Sequence, residues 1–190
     1  MGKADIHLVD GNDEIERQFR SVMNRLAGGV TIITAGYGED IAGMTVSSLT
    51  SFGAAPPRLL VSINRQASPF ALIERHRRFG VNVLGSDQQV LAARFSNRRL
   101  NGKQRFEDTA WSAGSSGVPL LTKSLATVEC EAEEIIERHS HGIIVGRLIS
   151  MELSHRLSGL VYWNGQYVGI DHDTDLDRLA QVSIPLAHVR

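Results

Sequence analysis

The stretch VTIITAGYGEDIAGMTVSSLTSFGAAPPRLLVSIN, residues 30–64, decides the fold class of this chain. It contains three short runs rich in β-branched residues, which are typical of strands. The runs cover residues 30–35, 41–50 and 58–64, and only short turns with glycine or proline separate them. Strands joined by short turns pair antiparallel, because a parallel pair needs a long crossover connection. The stretch therefore predicts an antiparallel sheet.

The segments on both sides of this stretch also carry helix and strand patterns. An apolar stripe at helical spacing, from Ile15 to Leu26, predicts a helix that stops at Gly28 and Gly29. A brief helix is predicted at residues 70–76, with Ser68 as its N-cap and Pro69 at the first helical position, and a second brief helix is predicted at residues 87–95. Residues 97–120 are predicted to be irregular. Further strands are predicted at residues 79–84, 125–137, 142–153 and 158–170. This order fits an antiparallel barrel with helices outside it.

Length and composition predict one globular domain. The 190 residues are 42% hydrophobic and 22% charged, which is ordinary for a soluble protein. We place the domain at residues 13–170, after a polar arm at residues 1–12. Residues 171–190 form a C-terminal extension, in which residues 173–182 are predicted to form a last short helix.

Charge and cysteine content exclude several classes of protein. The chain has 20 basic and 21 acidic side chains and a net charge of -1, and this balance does not suggest a nucleic-acid-binding or membrane-surface protein. No apolar run approaches the ~20 residues of a membrane span, and residues 1–14 lack the apolar segment of a secretory signal. The single cysteine, Cys130, has no partner in the chain, which predicts a cytoplasmic protein.

Motifs for metal ions and for common nucleotide sites do not fit. His139 and His141 share one face of an extended segment but lack a third ligand for zinc. The alternating aspartates from Asp171 to Asp177 resemble a calcium loop, yet Leu176 stands where the loop needs glycine. The GYG at residues 36–38 lacks the third glycine of a dinucleotide fingerprint. We therefore expect no metal site.

Hydroxyl side chains are concentrated in GMTVSSLTS, residues 43–51. In a strand, Thr45 and Ser47 lie on one face, and Ser48 and Thr50 on the other. A row of hydroxyls can bind a phosphate or the polar edge of a heteroaromatic ring. The same residue types are common on a half-exposed strand, and this segment alone favours that second interpretation.

Taken together, several segments resemble the flavin reductase-like family, the reductase components of two-component flavin monooxygenases. The resemblance spans about residues 17–170 and favours the ligand-binding interpretation of the hydroxyl segment. The matching segments, in chain order, are GGVTIITA (28–35), GMTVSSLTS (43–51), PPRLLVSIN (56–64), SPF (68–70), FGVNVL (79–84), LAARFS (91–96), RF (105–106), W (111), LATVEC (125–130), SHGIIVG (140–146) and GLVYWNGQY (159–167).

The resemblance implies a fold and an activity. The fold is mainly β, a six-stranded antiparallel split β-barrel with peripheral α-helices. The activity is hydride transfer from NADH or NADPH to FMN or FAD. The implied assembly is a homodimer with one flavin per subunit near the interface, and the implied partner is a monooxygenase that takes the reduced flavin.

The resemblance also implies the site residues. Hydroxyls, an arginine and the amides of a helix start suit a phosphate, and backbone groups of a strand suit the edge of a ring. His141 is the catalytic candidate, and it faces the nicotinamide together with Tyr162, Trp163, Asn164 and Gly165. The flavin is expected along Ile41, Ala42, Gly43, Met44, Thr45, Ser47, Ser48, Ser62, Ile63, Asn64, Ser68, Pro69, Asn82, Arg94, Phe95 and Ser96.

Two other functions remain open. One is an oxidoreductase that keeps its flavin and acts directly on an organic substrate, and the other is a flavin-binding protein without NAD(P)H turnover. His141, Tyr162 and Trp163 favour a nicotinamide site over the second of these. The chain departs from the family pattern in two places. The family often has Gly-Asp or Gly-Thr before the histidine, whereas this chain has His139-Ser140 before His141. The aspartate-rich tail has no counterpart in the family.

Overall fold

The chain is mainly β, with few and short helices. A computed structural model describes residues 12–171; the predicted helix at residues 173–182 and residues 1–11 of the predicted arm lie outside them. The helices are α1 (Asn12–Met23), α2 (Ser68–His76) and α3 (Gln89–Ser96), with 3-10 turns at Ser86–Gln88 and Gly102–Arg105. The strands are β1 (Gly28–Gly29), β2 (Thr31–Tyr37), β3 (Asp40–Val46), β4 (Thr50–Ala54), β5 (Pro57–Asn64), β6 (Arg78–Val83), β7 (Trp111–Ala113), β8 (Pro119–Leu121), β9 (Ala126–Arg138), β10 (His141–Leu153), β11 (Gly159–Trp163) and β12 (Gln166–Ile170).

The largest sheet has seven strands in the order β3-β2-β6-β9-β10-β5-β4. Every pair in it is antiparallel, as the short turns predict. Its strand number exceeds the six that we expected, and within residues 12–171 no ladder joins β3 to β4. A smaller sheet, β1-β11-β12, and the hairpin β7-β8 lie beside it.

The seven-stranded sheet curls, because its two outermost strands are consecutive in the chain. Only Ser47, Ser48 and Leu49 separate β3 from β4. In a flat sheet, six strand spacings of ~4.8 Å put the edges about 29 Å apart. Four peptide steps of ~3.8 Å span at most about 15 Å. The edges therefore approach each other, and the enclosed core contains Val46 from β3 together with Leu59 from β5, the neighbour of β4. We call residues 47–49 the corner.

Three predicted segments differ from the structure. The strand predicted at residues 41–50 is two strands, because the corner has to carry the chain from one edge of the sheet to the other. The strand predicted at residues 158–170 is the hairpin β11-β12, whose turn residues Asn164 and Gly165 have φ of 50° and 79°. Asn-Gly is the preferred pair for such a tight hairpin turn. The segment predicted to be irregular, residues 97–120, contains β7 and part of β8.

Helix α2 closes one end of the core. Pro69 lies in its first turn, where a missing N–H costs nothing, and Arg77 ends it with φ of 54°. The helix buries Phe70, Leu72 and Ile73. Helix α1 also forms where its apolar spacing predicts it, but Phe19 and other residues of that stripe remain exposed.

The single cysteine lies in the core on β9. Cys130 is buried, and burial together with the neighbouring Glu129 charge raises the pKa of its thiol to about 12. A thiol with so high a pKa is uncharged and unreactive at neutral pH.

Glu129 is a buried carboxylate on β9 that holds the β7-β8 loop. It accepts hydrogen bonds from the Ser115 amide and hydroxyl at 2.8 and 2.9 Å and from the Ser116 amide at 2.8 Å. Burial raises the pKa of this carboxyl, but the hydrogen bonds from the two serines outweigh burial, so the pKa lies below its ordinary value. A buried charge held in this way ties the loop to the sheet.

We expect Glu129→Gln to lower the free energy of unfolding at pH 7 by about 1.5–3 kcal/mol, the value of a hydrogen bond to a charged group. The folded-state pKa is depressed, so the contribution of the carboxylate is complete above the ordinary glutamate pKa and is lost as the pH falls through the folded-state pKa. Urea unfolding at several pH values should show the difference between wild type and variant shrinking in acid. Glu134→Gln, at an exposed position of the same strand, is the control, with a much smaller effect. Equal stability of Glu129→Gln and wild type at pH 7 would contradict this role.

Candidate functional site

The corner presents the first of the predicted site residues to solvent. Ser47 and Ser48 are exposed, while Val46 before them is buried. A Cβ atom placed on Gly28 would lie 3.0 Å from the Ser47 Cβ, so the backbone of β1 passes directly beside Ser47. Gly28 in turn pairs with Tyr162 on β11. The corner thus lies between the large sheet and the small one.

The other side of the corner meets β5. The Ser48 hydroxyl donates to the Ser62 carbonyl at 2.8 Å. Two residues further along β5, Asn64 pairs with His141 at the start of β10. The structure therefore brings together four predicted residues from three separate segments.

The chain leaves β5 in a fixed turn that leads into α2. The Asn64 side-chain oxygen accepts a hydrogen bond from the Gln66 amide at 2.9 Å, and its carbonyl accepts one from the Ala67 amide at 2.9 Å. Ser68 is exposed and Pro69 is buried. Ser68 is the first helical residue rather than the predicted N-cap, because Ala67 takes the cap position without a side-chain hydrogen bond. The exposed helix start therefore offers backbone amides rather than a capping hydroxyl.

Strand β3 supplies an edge with backbone groups outside the ladder. It pairs with β2 alone in the large sheet, so alternate amides and carbonyls of residues 41–45 point away from that ladder. Helix α3 packs against it: the Thr45 hydroxyl donates to the Ala92 carbonyl at 2.7 Å. A Cβ on Gly43 would lie 2.6 Å from Phe95, so glycine is required for this contact. Strand edges of this kind can hydrogen-bond the polar edge of a flat ring.

Two predicted flavin ligands are core residues instead. Phe95 is 1% exposed and packs on Phe106 and Trp111, with ring centroids 5.0 and 5.5 Å apart. Asn82 is 0% exposed. Neither side chain has accessible surface on the single chain, so the structure gives no support to these two assignments. Ala42 and Ile63 are also buried and offer only backbone groups to a ligand.

Asn82 uses its whole amide inside the protein. Its nitrogen donates to the Ile32 carbonyl at 3.0 Å, and its oxygen accepts a hydrogen bond from the Leu121 amide at 2.7 Å. It thereby joins β6 to β2 and to β8. Buried backbone groups need such partners, so the asparagine is required by the fold.

The end of α3 places two more predicted residues at the surface. Arg94 is half-buried and donates to the Glu107 carbonyl. Ser96 is exposed, and its hydroxyl donates to the Ala93 carbonyl at 2.9 Å. A guanidinium held by a carbonyl keeps its full charge, so this end of α3 is positive.

The predicted nicotinamide residues fall into two groups. Tyr162 turns toward the core and contacts Tyr167, with ring centroids 5.4 Å apart. Trp163 is exposed, and its indole N–H donates to the Arg25 carbonyl at 3.3 Å. The backbone N–H of Asn164 donates to the Asn24 carbonyl at 2.6 Å. Across residues 12–171, no hydrogen bond or ladder joins this hairpin to His141.

Arg105 lies against this surface although it is not among the predicted site residues. Its guanidinium donates to the Gly43 carbonyl on β3 at 2.5 Å and to the Asn97 carbonyl after α3 at 2.9 Å. The pair RF at residues 105–106 marks the position within the resemblance, but an arginine in a polar segment of the sequence gives no sign of which strand it will reach.

Open hollows lie beside the site rather than within it. One, of about 450 Å³, adjoins the corner at Leu49 and Thr50 and extends to Leu148. Another, of about 370 Å³, lies beside Lys123, Thr127 and Arg156, which are outside the predicted site. Among the predicted flavin residues, Ser47, Ser48, Ser68 and Ser96 are exposed on the single chain, and none of them lines either hollow.

Neither a metal-binding group of side chains nor a membrane-spanning helix is found among the described residues. Residues 12–171 contain no group of three or more histidine, cysteine, aspartate or glutamate side chains placed to hold a metal ion. No helix in that range is long and apolar enough to cross a membrane.

The sequence of this chain matches a known protein family. Residues 23–171 match the model of the flavin reductase like domain. This chain belongs to that family. The flavin reductase is 33% identical over 157 residues to HsaB, the reductase subunit of a flavin-dependent monooxygenase from Rhodococcus jostii, covering 83% of this chain and 79% of that protein.

Two further relatives of this flavin reductase illustrate the family. The FMN reductase (NADH) SmoA of Agrobacterium fabrum is 34% identical over 143 residues, covering 75% of this chain and 80% of that protein. Among solved structures, an NADH:FAD oxidoreductase of Streptomyces globisporus, in complex with NAD and FAD fragments, superposes with a TM-score of 0.78. The sequences are 29% identical, and the alignment covers 90% of this chain and 100% of that one.

We expect Asn82→Ala to reduce stability without weakening flavin binding. Removal of the side chain leaves two buried backbone groups without partners, at about 1–3 kcal/mol each. Thermal unfolding should show the loss, and flavin titration of the folded fraction should give an unchanged Kd. The comparison variant, Ser47→Ala/Ser48→Ala, should behave in the opposite way, with weaker flavin binding and a small loss of stability. A large rise in the flavin Kd of folded Asn82→Ala would show that Asn82 contributes to flavin binding.

Proposed function

We propose that this chain is an NAD(P)H:flavin oxidoreductase that reduces FMN or FAD by hydride transfer and supplies the reduced flavin to a partner monooxygenase. The observation that carries the proposal is the corner, where exposed Ser47 and Ser48 follow β3 and Ser48 binds β5, the strand that ends beside His141, within a chain of the flavin reductase family. The names of the relatives, among them a monooxygenase reductase subunit and an FMN reductase (NADH), support this activity.

The residues present at the corner fit a flavin nucleotide. Apart from the Gly43 carbonyl, which Arg105 occupies, the edge of β3 offers donors and acceptors to a flat ring, and Ser47 and Ser48 offer exposed hydroxyls. Ser68 at the start of α2 and Arg94 and Ser96 at the end of α3 offer groups that suit a phosphate. A bound flavin supplies the hydride-accepting chemistry, and the protein supplies binding and orientation.

His141 is suited to bind the nicotinamide nucleotide. It is exposed at the start of β10, and its Nδ1 lies 2.8 Å from the Ser140 hydroxyl. This hydrogen bond orients the ring and leaves Nε2 directed away from Ser140. In our proposal the imidazole holds the nicotinamide in place and moves no proton, because hydride transfer itself needs no protein acid or base.

The finer architecture is also part of the proposal. We interpret the curled sheet as the split barrel of the family, with the corner at the split. The apolar side chains of Met151 and Leu153, which are 67% and 84% exposed, support a homodimer in which a second subunit covers them. The resemblance to the family adds that the flavin lies near that interface. The unpartnered thiol of Cys130 supports a cytoplasmic location.

An assay of NADH and NADPH oxidation tests the activity. The protein is mixed in air with either nucleotide and with catalytic amounts of FMN or FAD, and absorbance at the NADH band is followed. Turnover that depends on free flavin supports the proposal. Turnover of an organic substrate with a flavin that stays bound through gel filtration would support the flavin-retaining oxidoreductase instead. Flavin binding without oxidation of either nucleotide would support the binding protein.

We expect His141→Ala to lower kcat/KM for the preferred nicotinamide nucleotide by roughly 10- to 100-fold, which corresponds to about 1.4–2.8 kcal/mol. The Kd for flavin should change much less, because the imidazole acts on the nicotinamide. Steady-state kinetics and flavin titration on the same preparation measure both quantities. Loss of flavin affinity with unchanged nicotinamide kinetics would place His141 in the flavin site.

We expect light scattering during size exclusion to give a mass near twice 20.8 kDa. The physical reason is that exposed apolar side chains such as Met151 and Leu153 gain free energy when a second subunit buries them. A chain that is monomeric at micromolar concentration and still turns over would contradict the homodimer.

A further inference from the structure

A basic segment follows the last turn of α3. Residues 94–105, RFSNRRLNGKQR, contain Arg94, Arg98, Arg99, Lys103 and Arg105 and no acidic residue. The whole chain has a net charge of -1, so this concentration of positive charge is local. We call residues 94–105 the basic segment.

Most of these charges have no carboxylate partner. Lys103 pairs with Glu39. Arg94 and Arg105 donate to backbone carbonyls, which leave a guanidinium fully charged. Within the part of the chain that the structure describes, the side chains of Arg98 and Arg99 form neither a hydrogen bond nor an ion pair. The segment therefore keeps a net positive charge.

Arg105 attaches the basic segment to the flavin surface. Its guanidinium reaches the Gly43 carbonyl at 2.5 Å and the Asn97 carbonyl at 2.9 Å, so the loop after α3 lies against β3. Its Nε is buried and has no partner within the described residues, and burial lowers the pKa of the guanidinium. A cation in this position lacks a compensating negative charge, and a bound anion would provide one.

Asn97 fixes the course of the loop from which Arg98 and Arg99 project. Its side-chain oxygen accepts a hydrogen bond from the Arg99 amide at 2.9 Å, and its amide donates to the Arg94 carbonyl at 3.2 Å. The two arginines therefore follow directly after the residue that Arg105 holds. Their backbone is positioned before any ligand binds, which lowers the entropy lost on binding.

A structural explanation accounts for only part of this charge. Basic residues in the last turn of a helix stabilise its negative end, and this applies to Arg94. The effect falls off within that turn, and Arg98 and Arg99 come after the helix has ended at Ser96. Unpaired surface arginines give the fold little stability, so these two are free to bind a ligand.

We propose that Arg98 and Arg99 bind the second phosphate of FAD, so that this chain binds FAD more tightly than FMN. The inference rests on the proposed flavin reductase function and specifies its flavin. Arg94 and Ser96, at the end of α3, are in place for the phosphate that FMN and FAD share. The second phosphate is bonded to the first in FAD and absent from FMN, and the next cations along the chain are Arg98 and Arg99. Arginine matches phosphate oxygens with paired N–H donors.

The test measures, by isothermal titration, the Kd of three flavins for the wild type and for Arg98→Gln/Arg99→Gln. Riboflavin has no phosphate, FMN has one and FAD has two. We expect the variant to raise the Kd for FAD by about 10- to 100-fold, as for loss of one or two hydrogen bonds to a charged group. The Kd for FMN should rise by less than about 3-fold, because it loses only screened attraction at longer range. The Kd for riboflavin should not change.

The control variant is Arg17→Gln/Arg20→Gln on α1, which changes the net charge equally and removes only ion pairs within that helix. It should leave all three Kd values unchanged. In addition, raising the salt concentration should weaken FAD binding more in the wild type than in Arg98→Gln/Arg99→Gln.

Several outcomes would overturn the inference. Equal weakening of FMN and FAD would assign the arginines to the shared phosphate, and unchanged FAD binding would remove them from the site. A rise in the KM for NADPH alone would assign them to the nicotinamide nucleotide. Each of these outcomes leaves flavin-dependent NADH oxidation by the wild type intact, so failure of this inference differs from failure of the proposed function, in which that oxidation is absent.

Discussion

The corner between β3 and β4 constrains the whole structure, because three residues have to join the two outermost strands of a seven-stranded sheet. A flat sheet cannot satisfy that link, so the sheet curls, and the apolar side chains on its inner face form one core. The same link accounts for the position of the candidate site. Segments far apart in sequence, from β3, β5 and the start of β10, converge where the sheet's edges approach each other.

Buried polar groups attach the remaining segments to this curled sheet. Asn82 holds β8 through a backbone amide, and Glu129 holds the loop between β7 and β8 through two serines. Arg105 performs a similar task on the other side, where it holds the loop after α3 against β3. Each of these side chains compensates backbone groups that the sheet ladders leave without partners. The segment between α3 and β9 is thus positioned by a few polar contacts and by the aromatic cluster around Phe95.

The sequence is sufficient to predict the strands and helices wherever local pattern and tertiary structure agree. The β-branched runs at β2 and β5 and the Ser68-Pro69 helix start are examples. Prediction failed where long-range geometry decides. The break at residues 47–49 follows from the closure of the sheet, which no local pattern shows. Phe95 and Asn82 lie in segments that resemble the family, but resemblance does not distinguish a residue that contacts a ligand from one that packs behind it. Arg105 reaches a carbonyl 62 residues earlier in the chain, and spacing carries no sign of that contact.

The environment of Cys130 has a consequence for an enzyme of this kind in air. Reduced flavin released into solution reacts with dioxygen and yields hydrogen peroxide, which oxidises cysteine through its thiolate. The only thiol of this chain is enclosed by the core, and a pKa of about 12 keeps it protonated at neutral pH. The protein therefore carries no thiol that the by-product of its own turnover would readily attack.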